Sequence, residues 1–221
     1  MYIFDIDGTL LYTIDTINYF INESLNKFDL KACPKEKVEA FVGNGPVVLC
    51  EKVLDFVGAS KDKDFRKSFL DYYNKSYDEN PAYLTKAYDG VKEALEELKK
   101  TKKPLVCFSN KPDETSKKVI PAVFGEGFFD DILGFRGDYE RKPSPAGIMI
   151  LKDKFGARFS DIIYFGDSEV DMKCGKNAGI FTVGVSWGFR ERKVLEEAKP
   201  DLIIDDPSEM VIRRVWWEKL I

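Results

Sequence analysis

Asp5 and Asp7 stand two apart in Tyr2-Ile3-Phe4-Asp5-Ile6-Asp7-Gly8-Thr9-Leu10, at the end of a short apolar run that reads as a first strand. Residues i and i+2 of an extended chain project from one face. The two carboxylates are therefore expected to point into the same place, just where Gly8 lets the chain turn. Like charges that close repel unless a proton is shared or a cation lies between them, so the pair asks for a divalent metal. An apolar run closed by Asp-Gly also describes an ordinary strand and turn. The meaning of the pair depends on what the rest of the chain brings to it.

Three further groups could join it. Ser109-Asn110 follow the apolar run 104–108 and precede a helix expected from about Pro112, a place where a hydroxyl and free backbone N–H groups can meet an anion or simply cap a helix. Lys142 sits in Arg141-Lys142-Pro143-Ser144-Pro145, where two prolines stiffen the segment and could fix an ammonium suited to phosphate. Asp167 leaves the apolar run 162–165, and Asp171 follows four residues later, so both can share one face of the next helix. Asp5, Asp7, Asp167 and Asp171 together form an acidic set balanced by Lys142 and by whatever cation binds. Oxygen-only ligands of this kind suit Mg²⁺.

The elements that must carry these residues follow from periodicity. Ile14, Ile17, Phe20, Ile21 and Leu25 recur at helical spacing, and further helices are expected over 34–41, 47–57 and 61–78. No strand pattern interrupts this block. From Tyr88 onward helices and strands alternate: helices over 91–100, 145–155 and 170–177, and strands over 104–108, 162–165, 180–185 and 202–204, with a short edge element around 128–135. Alternation at this spacing indicates a parallel, doubly wound sheet. The first strand then belongs with the second half of the chain, and the helical block is an insertion. The expected organisation is an α/β, Rossmann-like core from 1–13 and 84–221 with an α-helical cap from 14–83. All four chemical groups then fall at the carboxyl ends of strands, where such sheets bind ligands.

Composition narrows the class. The chain has 221 residues, enough for a core domain and a smaller insert. A formal charge of −4 argues against a general nucleic-acid or anionic-membrane binder, while local fields still permit an anionic substrate. Cys33, Cys50, Cys107 and Cys174 are scattered and there is no histidine, which removes zinc-site and Cys–His readings and makes reduced thiols the default. The chain opens directly into apolar Tyr2-Ile3-Phe4 and carries no apolar run of membrane-spanning length. A cytoplasmic location is the expectation. Cap helices rich in Phe and Tyr can bury a core of their own or a dimer contact, so monomer and homodimer both fit.

The ordered set Asp5-Ile6-Asp7-Gly8-Thr9, Ser109-Asn110, Lys142 and Gly166-Asp167-Ser168-Glu169-Val170-Asp171 resembles the haloacid dehalogenase superfamily of phosphohydrolases. Ser109-Asn110-Lys111-Pro112, Lys142-Pro143-Ser144-Pro145 and Ser186-Trp187-Gly188-Phe189 look like its phosphoglycolate phosphatase branch, with a helical cap inserted after the first motif. The resemblance implies a Mg²⁺-dependent phosphatase of a small phosphorylated metabolite such as 2-phosphoglycolate. It makes Asp5 the nucleophile that forms an aspartyl-phosphate and Asp7 the general acid and base. Thr9, Ser109, Asn110 and Lys142 would hold the phosphoryl oxygens. Asp5, Asp7 through its carbonyl, Asp167 and Asp171 would surround the metal. Many relatives carry an acidic residue and a serine where Tyr12 and Thr13 stand here, which bears on cap contacts rather than core chemistry. Gly43-Asn44-Gly45 fits either a cap loop that meets the substrate or a plain helix-to-helix turn, and Trp187, Phe189 and Arg190 fit either a cleft border or core packing and surface charge. A phosphosugar mutase or inorganic pyrophosphatase would use the same scaffold. A phospho-receiver-like signalling domain shares the residue types, but it takes phosphate on a mid-chain aspartate and lacks a helical insert.

Overall fold

The computed structural model describes residues 1–212; the last part of the expected core, 213–221, lies outside the described residues. In chain order the elements are β1 (Tyr2–Phe4), β2 (Leu11–Tyr12), α1 (Ile14–Lys27), α2 (Lys35–Phe41), α3 (Pro46–Phe56), α4 (Lys63–Glu79) and β3 (Lys86–Ala87). Then come α5 (Val91–Lys99), β4 (Leu105–Pro112), α6 (Asp113–Phe124), β5 (Asp131–Phe135), α7 (Ala146–Phe155) and β6 (Ile163–Gly166). The chain continues through α8 (Glu169–Ala178), β7 (Phe181–Val185), α9 (Arg192–Ala198), β8 (Leu202–Ile204) and α10 (Glu209–Ile212). Six strands form one sheet in the order β5-β4-β1-β6-β7-β8, and every pairing in it is parallel.

The sheet is buried on both faces, which is why its strands read as unbroken apolar runs. One layer packs Tyr2, Phe4, Leu95, Leu98, Val119, Ile120 and Phe165; the other packs Ile3, Val106, Phe108, Ile148, Leu151 and Tyr164. The ring of Phe4 stacks on Phe165 at 4.9 Å between centroids, fixing β1 against β6. β1 occupies the centre with β4 and β6 on either side, so the carboxyl ends of these three strands open onto one place.

The helical cap has its own core, in which Ile14, Ile21, Val38, Val53, Leu54 and Phe69 are buried together. Both chain crossings between cap and core are joined by a two-residue antiparallel ribbon, Leu11 with Ala87 and Tyr12 with Lys86. That ribbon is too short for an alternating pattern and is invisible to periodicity.

Two expectations shift. β1 ends at Phe4, so Asp5 and Asp7 lie on the turn beyond it rather than on an extended face. The turn is closed by the N–H groups of Leu10 and Leu11 on the Ile6 carbonyl at 3.1 and 2.9 Å, while the Asp5 N–H still donates to Phe165 O at 2.9 Å. β4 runs through Pro112, with a break in register between Phe108 and Pro112. Ser109 and Asn110 therefore sit on the strand end and not at the start of a helix.

Candidate active site

The residues singled out from sequence meet at the carboxyl ends of β1, β4 and β6, beside a cavity of about 220 Å³ between core and cap. Asp5, Asp7, Ser109, Asn110, Lys111 and Lys142 line it from the core, and Ile17, Gly43, Gly45, Leu49, Tyr73 and Tyr77 are among the cap residues that do so.

Lys142 is the hub. Its Nζ lies 2.8 Å from Asp5 Oδ1 and 2.7 Å from Asp171 Oδ1. It also donates to Tyr164 Oη at 3.0 Å and more weakly to Phe108 O at 3.4 Å, so its three N–H groups are fully engaged. Asn110 fixes the segment that carries it: Asn110 Oδ1 accepts from Lys142 N at 2.9 Å, and Nδ2 donates to Lys142 O at 3.2 Å and to Gly43 O of the cap at 3.1 Å. The Asn110 side chain is thus occupied in holding Lys142. Ser109 presents its hydroxyl beside them, accepting a long 3.3 Å bond from Lys111 N.

Asp171 is completely buried. Besides Lys142 it accepts from Tyr164 Oη at 2.7 Å and from Ser168 N and Oγ at 3.1 and 2.5 Å. Burial alone would raise its pKa, but the charge of Lys142 and these donors outweigh burial and hold it below the ordinary carboxylate value. Asp171 is therefore an ionised anchor for Lys142. Asp167 differs. Thr9 Oγ1 and the Phe189 N–H donate to its two oxygens at 3.2 and 2.9 Å, so the Thr9 hydroxyl is turned towards Asp167. Burial, then the charges of Asp171 and Asp5, push Asp167 well above the ordinary range.

Two glycines make room for it. A Cβ on Gly8, whose φ is +87°, would lie 2.3 Å from Asp167 Oδ2, and one on Gly188 would lie 2.2 Å from Asp167 Cβ. Any side chain at either position displaces this carboxylate.

Asp5, Asp167 and Asp171 each bring a carboxylate oxygen within 4.8 Å of the others. Asp5 Oδ1 is buried and accepts no well-aligned hydrogen bond, its contact with Lys142 being one of charge and proximity. Burial is the main reason that Asp5 is pushed up to about 6; Lys142 opposes it and Asp171 adds to it. An all-oxygen donor set with under-neutralised, buried carboxylates fits a hard divalent cation.

A stability prediction follows from the sign of these shifts. Asp5 is raised from 3.8 to about 6 in the folded chain, so below pH 4 both states hold the proton and no stability is lost. As pH rises through 6 the folded state must surrender a proton it binds more tightly, and stability falls. The loss is on the order of 2–3 kcal/mol from Asp5 alone, and Asp167 adds to it in the same direction. Thermal melts in EDTA should show this decline between about pH 4 and 7, and Mg²⁺ should reverse it at pH 7.5. A flat profile, or one unchanged by Mg²⁺, would count against a metal at these carboxylates.

Asp7 takes a different partner. Lys111 Nζ lies 3.1 and 3.3 Å from its two oxygens and donates to Tyr77 Oη of α4 at 2.9 Å. The acidic set is therefore balanced by two lysines and not by Lys142 alone. Lys111 was legible only as part of a motif. The signal for it is a cation shortly after a long apolar run, where a buried ammonium requires a counter-charge.

The loop after β7 ties this centre to the cap. The indole Nε1 of Trp187 donates to Thr9 O at 3.1 Å, and Phe189 packs its ring on the cap core while its N–H holds Asp167. Arg190 donates to Val42 O at 2.6 Å and Glu39 O at 3.3 Å, both at the end of α2, and pairs with Glu169 at 3.3 Å. These three residues do not line the cavity; they link the Asp167 carboxylate to the cap. Tyr12, at the cap entry, accepts from Lys35 Nζ at 2.8 Å.

The family model of the haloacid dehalogenase-like hydrolases matches residues 2–185. The chain belongs to this family. It is 33% identical over 209 residues to the phosphoglycolate phosphatase of Aquifex aeolicus, covering 95% of this chain and 93% of that one. It is 31% identical over 212 residues to that of Haemophilus influenzae, covering 94% and 95%. Among solved structures, a predicted phosphoglycolate phosphatase from Haemophilus somnus 129pt superposes with a TM-score of 0.91 at 29% identity, covering 97% of each chain. This haloacid dehalogenase-like hydrolase thus carries its cap and core in the arrangement of that solved structure. Among the described residues, no helix is long and apolar enough to cross a membrane.

Proposed function

We propose that the protein is a Mg²⁺-dependent phosphatase of a small phosphorylated metabolite, with 2-phosphoglycolate the first candidate. The observation that carries this reading is the position of Asp5. Its buried carboxylate stands at the end of the central strand with Lys142 at 2.8 Å and the Asp167 and Asp171 carboxylates beside it.

In this reading Asp5 attacks phosphorus in line and takes up the phosphoryl group as an aspartyl-phosphate. Asp7 gives its proton to the departing alkoxide, then takes one from the water that cleaves the acyl phosphate. Lys142, giving up its weak 3.4 Å contact with Phe108 O, and the Ser109 hydroxyl hold the phosphoryl oxygens, where fixed positive charge lowers the barrier most. Asn110 and Asp171 keep Lys142 in place, and Thr9 orients Asp167. Asp5, Asp167 and the Asp7 carbonyl would hold Mg²⁺, with Asp171 beyond them, and the metal would supply charge neutralisation at the phosphoryl group. Residues 14–83 act as the cap that shields the site and selects the substrate.

The test is phosphate release from a panel of 2-phosphoglycolate, sugar phosphates, nucleotides and pyrophosphate, with Mg²⁺ and with EDTA. Turnover of 2-phosphoglycolate that disappears in EDTA is the expected result. A phosphoenzyme that persists in water and passes its phosphoryl group to a sugar phosphate would instead make the protein a mutase.

A further inference from the structure

We infer that Arg190 is a positioning residue that couples seating of the cap to binding of the divalent cation, acting through its neighbour Phe189 on Asp167. The loop 186–190 bears on both oxygens of that carboxylate. The Phe189 N–H donates to Oδ2 at 2.9 Å. Trp187 Nε1 donates to Thr9 O at 3.1 Å, and Thr9 Oγ1 donates to Oδ1 at 3.2 Å. Gly188 between them lets the loop come this close, since a Cβ there would lie 2.5 Å from Gly8 O. The direction in which Asp167 points is therefore set by this loop, and partners of this kind tune how tightly a carboxylate holds a metal.

The far end of the loop is tied to the cap. The Phe189 ring packs on the cap core. Arg190, whose side chain is 14% exposed, gives Nη2 to Val42 O at 2.6 Å and Nη1 to Glu39 O at 3.3 Å. These carbonyls close α2, where a cation meets the negative end of the helix. The cap has a core of its own and joins the sheet domain through a two-residue ribbon, so it can shift against that domain as a unit. A cap that lifts at residues 39–43 either gives up the Arg190 and Phe189 contacts or draws both residues with it, and with them the N–H that orients Asp167. A cation that uses Asp167 favours the seated loop, and through it the seated cap. Asn110 Nδ2 grips the same turn at Gly43 O, so a seated cap steadies Lys142 as well. The cation site and the shield over it are then completed together. Charge alone predicts the opposite for Arg190. Its field reaches Asp167, so removing it should strengthen the attraction for Mg²⁺, and by more than for a competing, singly charged proton.

This inference rests on the reading of a divalent cation at these carboxylates, and the experiment separates the two. Mg²⁺ alone, without substrate, is titrated calorimetrically into wild type, Arg190→Gln, Arg190→Lys and Phe189→Ala. Amide hydrogen exchange of residues 39–45 is followed with and without saturating Mg²⁺. The links from Asn110 and Lys111 to the cap remain in every variant. Arg190→Gln should bind Mg²⁺ about 10-fold more weakly than wild type. Arg190→Lys, which keeps the charge and can reach a carbonyl, should recover part of that loss. Phe189→Ala changes no charge and should weaken binding in the same direction. By reciprocity, saturating Mg²⁺ should slow exchange at 39–45 in wild type and leave it unchanged in Arg190→Gln. Arg190→Gln that binds Mg²⁺ as tightly as wild type, or more tightly, would overturn the coupling. So would exchange at 39–45 that ignores Mg²⁺ in wild type, or that still slows in Arg190→Gln. Wild type that binds no Mg²⁺ at all would overturn the metal reading itself, and this inference with it.

Discussion

Asp5→Asn is expected to lower phosphate release by about 10⁴-fold or more, the scale on which loss of a covalent nucleophile is felt, while making the metal-free protein more stable. The two effects have one cause. The Asp5 carboxylate is buried beside Asp171, Asp167 and Asp7, and its pKa is pushed up to about 6, chiefly by burial. At neutral pH its charge opposes folding. Asparagine fills the same space without that charge, and Lys142 keeps Asp171 as its ion-pair partner. The variant should therefore melt a few degrees higher than wild type in EDTA, and Mg²⁺ should raise its melting temperature less than it raises wild type's. Acid-quenched wild type incubated with substrate should carry a phosphoryl adduct on the peptide containing Asp5, absent from the variant. An adduct elsewhere, or turnover that survives the substitution, would mean another group attacks phosphorus. A variant less stable than wild type at pH 7.5 in EDTA would refute the electrostatic account of Asp5, whatever its activity. Here the chemistry and the stability of the chain pull in opposite directions.

Much of this site was legible because its residues obey a local rule. Asp5, Ser109 and Asp167 each follow an apolar run, with Asp7, Asn110 and Asp171 close behind them and Lys142 just before a proline-stiffened segment, and a doubly wound sheet brings such positions together. What each side chain does there was less legible, because it depends on partners distant in sequence. Asp171 could be placed near a cation from its spacing to Asp167, but the spacing is silent on Tyr164 and Lys142, which saturate it. The resemblance put Thr9 among the residues that would hold phosphoryl oxygens, yet its hydroxyl turns to Asp167, 158 positions away. The role of Lys111 needs Tyr77 from another layer of the fold. Loop 186–190 shows the same limit: its aromatic and arginine residues suggested a cleft edge, and only tertiary packing reveals that Phe189 grips a carboxylate with its backbone and the cap with its ring. Periodicity finds elements because it is local; the pairing of buried charges is not.

Lys142 tests that point most sharply. Lys142→Met should destabilise the protein by about 3–5 kcal/mol at pH 7.5 in EDTA, the range seen when one member of a buried ion pair is removed. For a chain of this size that corresponds to a fall in Tm of roughly 6–20 °C. Methionine matches the length of the lysine stem, so packing is largely kept; what is lost is the ammonium that serves Asp171, which is 0% exposed, and Asp5, which is 7% exposed. Without it, burial and mutual repulsion raise Asp171 above its unfolded value and push Asp5, already raised, further up. Groups raised in this way hold their protons in the folded state at low pH, so the deficit should shrink as pH falls toward 4 and be fully expressed above neutrality. A divalent cation should recover part of the loss, since it can replace one charge but cannot donate hydrogen bonds to Asp171. The double variant Lys142→Met, Asp171→Asn should regain stability without regaining activity, because it removes the stranded charge but not the need for a cation at the phosphoryl oxygens. If Lys142→Met melts within about 2 °C of wild type, or if the double variant is no more stable than the single one, the pair contributes through packing, and the claim that Asp171 exists to hold Lys142 fails.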